Sequence, residues 1–207
     1  VEKDKRFCEI LSKKFNLKEN QDIFNEDILK FNFNSNTNAE VIFGNLPYNI
    51  STQILAKFIK LGNWPPFFKK IIFMFQKEVA DRILAKPNTK EYGRITVLTN
   101  FRLDIIDSFK ISRKCFLPVP DVDSKIIIFK PKFKVNYNIV DIKNLEKITQ
   151  LLFSGKRKMI NKAFSKIFKN YKEIAKLLNI DLKKRPAELL CDEYYKITEH
   201  YEKTLKI

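Results

Sequence analysis

Asn45, Leu46, Pro47 and Tyr48 follow directly on the apolar run VIFG at residues 41–44, and together they suit work on a flat, weakly nucleophilic amine. The nitrogen of an adenine amino group is conjugated with its ring. Two acceptors that hold its protons pull it toward tetrahedral geometry and aim its lone pair. The Asn45 side-chain oxygen and the Leu46 carbonyl are candidates for that pair, and Pro47 fixes its own φ while biasing Leu46 toward an extended backbone. Tyr48 offers a flat face on which a base turned out of its strand can stack. Glu2 and Asp27 fall, like Asn45, at the carboxyl ends of predicted strands, where ligands of open α/β sheets bind. Glu2 is placed to accept both hydroxyl protons of a ribose, and Asp27 to accept from the amino group of an adenine.

These residues need a scaffold, and the first two thirds of the chain supply its pattern. Short apolar runs alternate with helical stretches, as in a parallel sheet covered by helices. Val1 and Glu2 read as the end of a strand, residues 4–15 as a helix and residues 22–24 as a short strand. A strand over 40–44 leads to a helix over about 51–61, with Ser51 as its N-cap. Strand 71–76, two helices reaching residue 102, and strands near 105–111 and 124–130 complete the α/β part, the last two strands pairing antiparallel. After Pro131 the pattern is helical only, with helices at about 141–153, 157–168, 171–178 and 192–205. The expected domains are residues 1–135, catalytic, and 136–207, helical.

The formal net charge is +16, from 40 Lys plus Arg against 24 Asp plus Glu, the footprint of a protein that handles a polyanion. His200 is the sole histidine and the three cysteines are far apart, which argues against a metal site, a His-based triad or a redox pair. No apolar run approaches the length of a membrane span, and VEKDKRF lacks a signal peptide's apolar segment. The expectation is a soluble, cytoplasmic monomer without a membrane partner.

Several stretches resemble one family, the ribosomal RNA adenine dimethyltransferases that use S-adenosylmethionine. VEKDKRFCEIL, NEDILKF, FGNLPYNIST, FQKEVADRILAKPNTKEYGRITVL and CFLPVPDVDSKI are similar to its successive motifs, and LLFSGKRKMINKAF and KRPAELL to segments of its small-subunit enzymes. The resemblance implies a Rossmann-like methyltransferase domain followed by a small all-α domain. It implies that Glu2 binds the cofactor ribose, Asp27 the cofactor adenine, and Asn45 both the cofactor's methionine end and the target amine. Tyr48 and Phe116 match an aromatic clamp around a flipped adenosine. The implied reaction transfers four methyl groups to two adjacent adenosines near the 3′ end of small-subunit ribosomal RNA, on an immature small subunit. In the family a first strand, a glycine-rich loop and a helix precede the segment matching VEKD. On that ground the 207-residue chain, whose first methionine is Met74, is expected to be truncated or incompletely recorded. It is also expected to bind cofactor poorly, to be inactive as it stands, and to expose a sheet edge or apolar face. Two alternatives stay open: a non-catalytic RNA-binding assembly factor, and a large-subunit methyltransferase of the macrolide-resistance type.

Following such a domain, GKRKMINKAFSKIFKNY at residues 155–171 reads as an RNA-contacting helix. At about 100° per residue, Lys158, Lys162, Lys166 and Lys169 share one face while Ile160, Ala163, Phe164, Ile167 and Tyr171 share the other. Lys156 and Arg157 extend the charged face, which is expected to hold RNA by its phosphates.

Overall fold

The structure, a computed structural model, describes residues 1–15, 22–33 and 39–205. It divides into two compact units, Val1–Ala39 and Glu40–Ile207, so the boundary expected near residue 135 lies inside the second.

In the first unit, helix α1 (Lys5–Phe15) starts behind Asp4, whose carboxylate accepts from the Arg6 amide at 2.9 Å, as an N-cap does. The expected strands at 1–2 and 22–24 reduce to a single parallel bridge, Glu2 with Asn25. The Glu2 amide donates to the Phe24 carbonyl at 2.9 Å, and Asn25 Nδ2 donates to the carbonyls of Glu2 and Lys3. Phe24, Phe31 and Phe33 pack edge to face, whereas Phe7, Ile10 and Phe15 of α1 are exposed.

The second unit is built on a sheet of β1 (Val41–Asn45), β2 (Lys70–Gln76), β3 (Leu103–Ile111) and β4 (Ser124–Pro131), in spatial order β1-β2-β4-β3. KIIFMFQ is almost wholly apolar, and β2 accordingly lies inside the sheet, with Ile71, Phe73 and Phe75 buried. β1 and β2 are parallel, with Asn45 opposite Met74. Their connection is helix α2 (Ser51–Ile59), as a parallel pair requires. β3 and β4 are antiparallel, as the sequence suggests, with a bulge at Ile106. Within this sheet β1 pairs only with β2 among the described residues, and Val41 and Phe43 are exposed.

Helices α3 (Lys77–Ile83) and α4 (Arg94–Arg102) cover the sheet, and α5 (Ile142–Phe153), α6 (Asn161–Ile167), α7 (Tyr171–Leu178) and α8 (Cys191–Leu205) follow. Val97 and Phe101 of α4 share one core with Leu145, Ile148, Phe164 and Tyr195 of the later helices. Buried polar groups pin this core. Tyr195 Oη donates to the Val97 carbonyl at 2.9 Å, and Glu202 accepts from the amides of Val140 and Asp141 and from Asn144. Arg102 donates to the carbonyls of Ile59 and Leu61 and lies over the Trp64 ring, which ties α4 to the end of α2.

Two expectations need correction. Ser51 is not an N-cap acceptor: it begins α2, and its hydroxyl donates back to the Tyr48 carbonyl at 3.1 Å. The basic helix expected over 157–168 is only Asn161–Ile167. The Lys158 amide closes a turn onto the Gly155 carbonyl at 2.8 Å, so Lys158 and Lys169 lie outside the helix.

Candidate functional site

β1 delivers Asn45 to the carboxyl end of the parallel pair, and the chain turns there at once. The Ile50 amide donates to the Pro47 carbonyl at 3.1 Å, which closes a turn around Tyr48. Gly44 makes the corner possible: a Cβ at that position would sit 2.5 Å from Leu46 Cδ2 and 2.9 Å from the Phe73 ring. A side chain there would displace the buried Leu46 and with it the acceptor pair. The Asn45 side chain and the Leu46 carbonyl take part in no hydrogen bond among the described residues. Both are free to accept from an incoming amine.

Tyr48 Oη lies 2.9 Å from Ser124 Oγ, and Ser124 is fully buried at the start of β4. The ring is thereby tethered across the sheet and is half-buried. Phe116 arrives from the other direction, on the turn that follows a short 3-10 helix at Arg113–Cys115. That turn is held by the Asp123 carboxylate, which accepts from the Arg113 amide at 3.0 Å and pairs with Lys110 at 2.8 Å. The Lys110 ammonium and the Arg113 amide hold the Asp123 carboxyl below its ordinary pKa. Asn45, Leu46, Pro47, Tyr48 and Phe116 all line one depression of about 420 Å3, together with Met74 and Leu117.

Glu2 and Asp27 both belong to the first unit. Glu2 Oε1 accepts from the Asp4 amide at 2.8 Å, and its second oxygen has no partner among the described residues. Asp27 accepts from the Leu29 amide at 2.9 Å and from Lys3 Nζ at 3.2 Å. The Leu29 amide first, and then Lys3, hold its carboxyl below the ordinary range. Both side chains are therefore acceptors at the ends of adjacent chain segments.

The six cations expected to contact RNA, Lys156, Arg157, Lys158, Lys162, Lys166 and Lys169, are all exposed, and Ile160, Phe164 and Phe168 beneath them are buried. A larger cleft of about 910 Å3 adjoins the first two. It runs between the α3–α4 segment and the Lys156 and Arg185 turns; Arg82, Lys90 and Arg94 line it from the sheet side, and the carboxylates of Glu78, Asp81, Glu91 and Glu188 line it too. None of these six cleft cations forms an ion pair among the described residues. Arg94 Nε is buried without a hydrogen-bond partner.

The family model for ribosomal RNA adenine dimethylase matches residues 1–203. The ribosomal RNA small subunit methyltransferase A of Pelagibacter ubique is 41% identical over 203 residues, 98% of this chain and 76% of that protein. The chain belongs to the ribosomal RNA adenine dimethylase family. Two more of its relatives, small subunit methyltransferases A of Zymomonas mobilis and Buchnera aphidicola, are each 36% identical. The matches span 78% and 87% of this chain, and 57% and 69% of those proteins. Among solved structures, a dimethyladenosine transferase from Plasmodium falciparum superposes with a TM-score of 0.75 at 24% identity, over 97% of this chain and 80% of that one. The 23S rRNA methyltransferase ErmE does so with a TM-score of 0.65 at 20% identity, with the same coverage. These likenesses make the fold the Rossmann-like α/β arrangement of methyltransferases, as its motifs suggest.

Within this family's frame the sequence reading missed two supports of the corner and the arginines of the cleft. Gly44 was legible only as part of FGNLPY, and its close approach to Phe73 arises from strand pairing. Ser124 closes the motif that contains Phe116, but its partner Tyr48 is 76 residues away. Arg82, Arg94 and Arg185 carry no periodic signal, because the cleft joins distant turns.

Proposed function

We propose that this protein is an S-adenosylmethionine-dependent dimethyltransferase. It acts on N6 of two adjacent adenosines near the 3′ end of small-subunit ribosomal RNA, as a monomer on the immature small subunit in the cytoplasm. The observation that carries the reading is the pair of unengaged acceptors, Asn45 and the Leu46 carbonyl, beside the tethered Tyr48 ring.

Glu2 and Asp27 fit S-adenosylmethionine by chemistry: a carboxylate with a free oxygen suits a ribose diol, and a charged carboxylate suits an adenine amino group. Once bound, the cofactor supplies an electrophilic methyl group on a positively charged sulfur. The protein's part is to aim the nucleophile. Asn45 and the Leu46 carbonyl hold the two amine protons, so that the nitrogen lone pair leaves the plane of the ring. Tyr48 and Phe116 stack on the adenine and hold it out of the RNA, a contact worth roughly 1 to 3 kcal/mol per base. Each methyl transfer leaves a proton to be lost from the nitrogen, and removal of the second N–H ends the reaction at N6,N6-dimethyladenosine.

The cations of the 910 Å3 cleft and of the Lys162–Lys169 surface hold RNA through its phosphates, which position the substrate without reading its sequence. The 136–207 helices thus serve as an RNA-binding domain.

Primer extension on ribosomal RNAs incubated with cofactor and with the protein carrying the family's N-terminal glycine-loop unit tests this reading. Wild type is expected to give stops at two adjacent adenosines of small-subunit RNA, and Asn45→Ala to abolish them while RNA affinity is unchanged. Full activity in Asn45→Ala removes the assigned role. Stops on large-subunit RNA instead make the protein a methyltransferase of that particle. RNA binding without cofactor binding in a calorimetric titration makes it an assembly factor.

A further inference from the structure

Leu117 is 97% exposed, more than any other large apolar side chain among the described residues, yet it lines the same depression as Asn45 and Tyr48. An isolated exposed leucine on a surface needs no explanation. This one stands on a stiff mount at the mouth of the site. Pro118 and Pro120 follow it closely, restricting the backbone on its carboxyl side. The turn's base is tied at both ends: the Phe116 amide donates to the Arg113 carbonyl at 3.2 Å, and Arg113 Nη1 donates to the Asp121 carbonyl at 3.1 Å. The Asp123 carbonyl in turn accepts from the Lys77 amide at 2.9 Å. An apolar side chain is thus presented to solvent on a turn held by hydrogen bonds. The neighbouring Val119 is also exposed.

Drawing an adenosine out of its strand breaks its stacking and leaves a gap between the bases on either side. Proteins that distort nucleic acids fill or open such gaps with apolar wedges. We propose that Leu117 is the wedge: as the target adenine settles between Tyr48 and Phe116, Leu117 enters the position it has left and keeps the neighbouring bases from closing. This rests on the flipped-adenosine reading above. Leu117 acts as a positioning residue, since the amine itself meets Asn45 and the Leu46 carbonyl. Its adjacency to Phe116 gives the role its geometry, because one turn carries both the ring that receives the base and the side chain that replaces it.

The test measures single-turnover methylation by wild type, Leu117→Ala and Leu117→Met in the full chain on two RNAs. One is intact small-subunit RNA; in the other, both neighbours of a single target adenosine, the second adenosine of the pair included, are abasic nucleotides, so that no stack has to be broken. Leu117→Ala is expected to slow methylation about tenfold on the intact RNA and to match wild type on the abasic one, with an unchanged Tm. Leu117→Met, which restores the apolar length, is expected to recover most of the rate. No loss in Leu117→Ala overturns the inference, and so does an equal loss on both RNAs, which would place Leu117 in binding the adenosine itself. Absence of methylation by wild type on either RNA overturns the proposed function, and the wedge with it. An Asn45→Ala control, inactive on both RNAs, separates loss of chemistry from loss of base extrusion.

Discussion

Asn45 and Tyr48 owe their utility to opposite circumstances. The Asn45 side chain and the Leu46 carbonyl are left without partners among the described residues, whereas Tyr48 is bound through its hydroxyl to the buried Ser124. In the proposed function an acceptor must stay free to receive the amine, and a stacking ring must stay still to orient it. Tyr48→Phe keeps the ring and removes the tether, leaving the Ser124 hydroxyl buried without a partner, at a cost of about 1 to 3 kcal/mol. Urea unfolding is expected to show that loss together with a several-fold fall in kcat/KM. Adding Ser124→Ala to Tyr48→Phe is expected to restore most of the stability, because the orphaned hydroxyl is then gone. Strictly additive losses in the double variant would show that the two groups do not interact.

At the scale of elements, ion pairs lock α3 to β4. Asp81 of α3 pairs with Lys77 one turn earlier at 2.7 Å and with Lys125 of β4 at 2.8 Å. Burial works to raise the Asp81 carboxyl pKa, and the bonds from Lys125 and Lys77 outweigh it, so the group sits below its ordinary value. A carboxyl depressed in the folded state contributes stability that is present above its unfolded value of about 3.9. That contribution is lost as pH falls through the folded value. Asp81→Asn is therefore expected to be less stable than wild type at neutral pH, with the difference shrinking as acid is added below about pH 4. Denaturant midpoints measured across that range check it; a difference independent of pH would remove the ion pairs as the cause.

Across the whole molecule, six of the cations meet where distant turns come together, in a cleft that Glu78, Asp81, Glu91 and Glu188 also line. The cleft draws Arg82 and Arg94 from the sheet side and Lys156, Arg157 and Arg185 from the helical side. A buried Arg94 Nε without a partner is a donor awaiting an acceptor. Each phosphate contact that is lost lowers the slope of log affinity against log salt by about one. Arg82→Gln combined with Arg94→Gln is expected to weaken RNA binding and flatten that slope by about two, while Asn45→Ala leaves the slope unchanged. Filter binding of small-subunit RNA over a range of salt concentrations measures both, and an unaltered slope in the double variant would take the RNA phosphates out of the cleft.

The positions of most strands and helices, the antiparallel pairing of β3 with β4, and the tetrapeptide at the end of β1 were all legible in the chain. They rest on local causes: apolar periodicity, proline stiffness and the types of residue at strand ends. Side-chain chemistry singled out Asn45, Leu46, Pro47 and Tyr48, and motif likeness singled out Phe116; all five line one depression. Local pattern failed where local preference yielded to packing. The basic helix stops at Ile167 and begins only at Asn161 because Ile160, Phe164 and Phe168 are drawn into the core, and its lysines divide between helix and turns. The Ser124 tether, the close approach at Gly44 and the unpaired arginines of the cleft were decided only by tertiary structure. Each of them joins segments far apart in sequence, and a contact of that kind leaves no periodicity behind, because its distance is set by the fold.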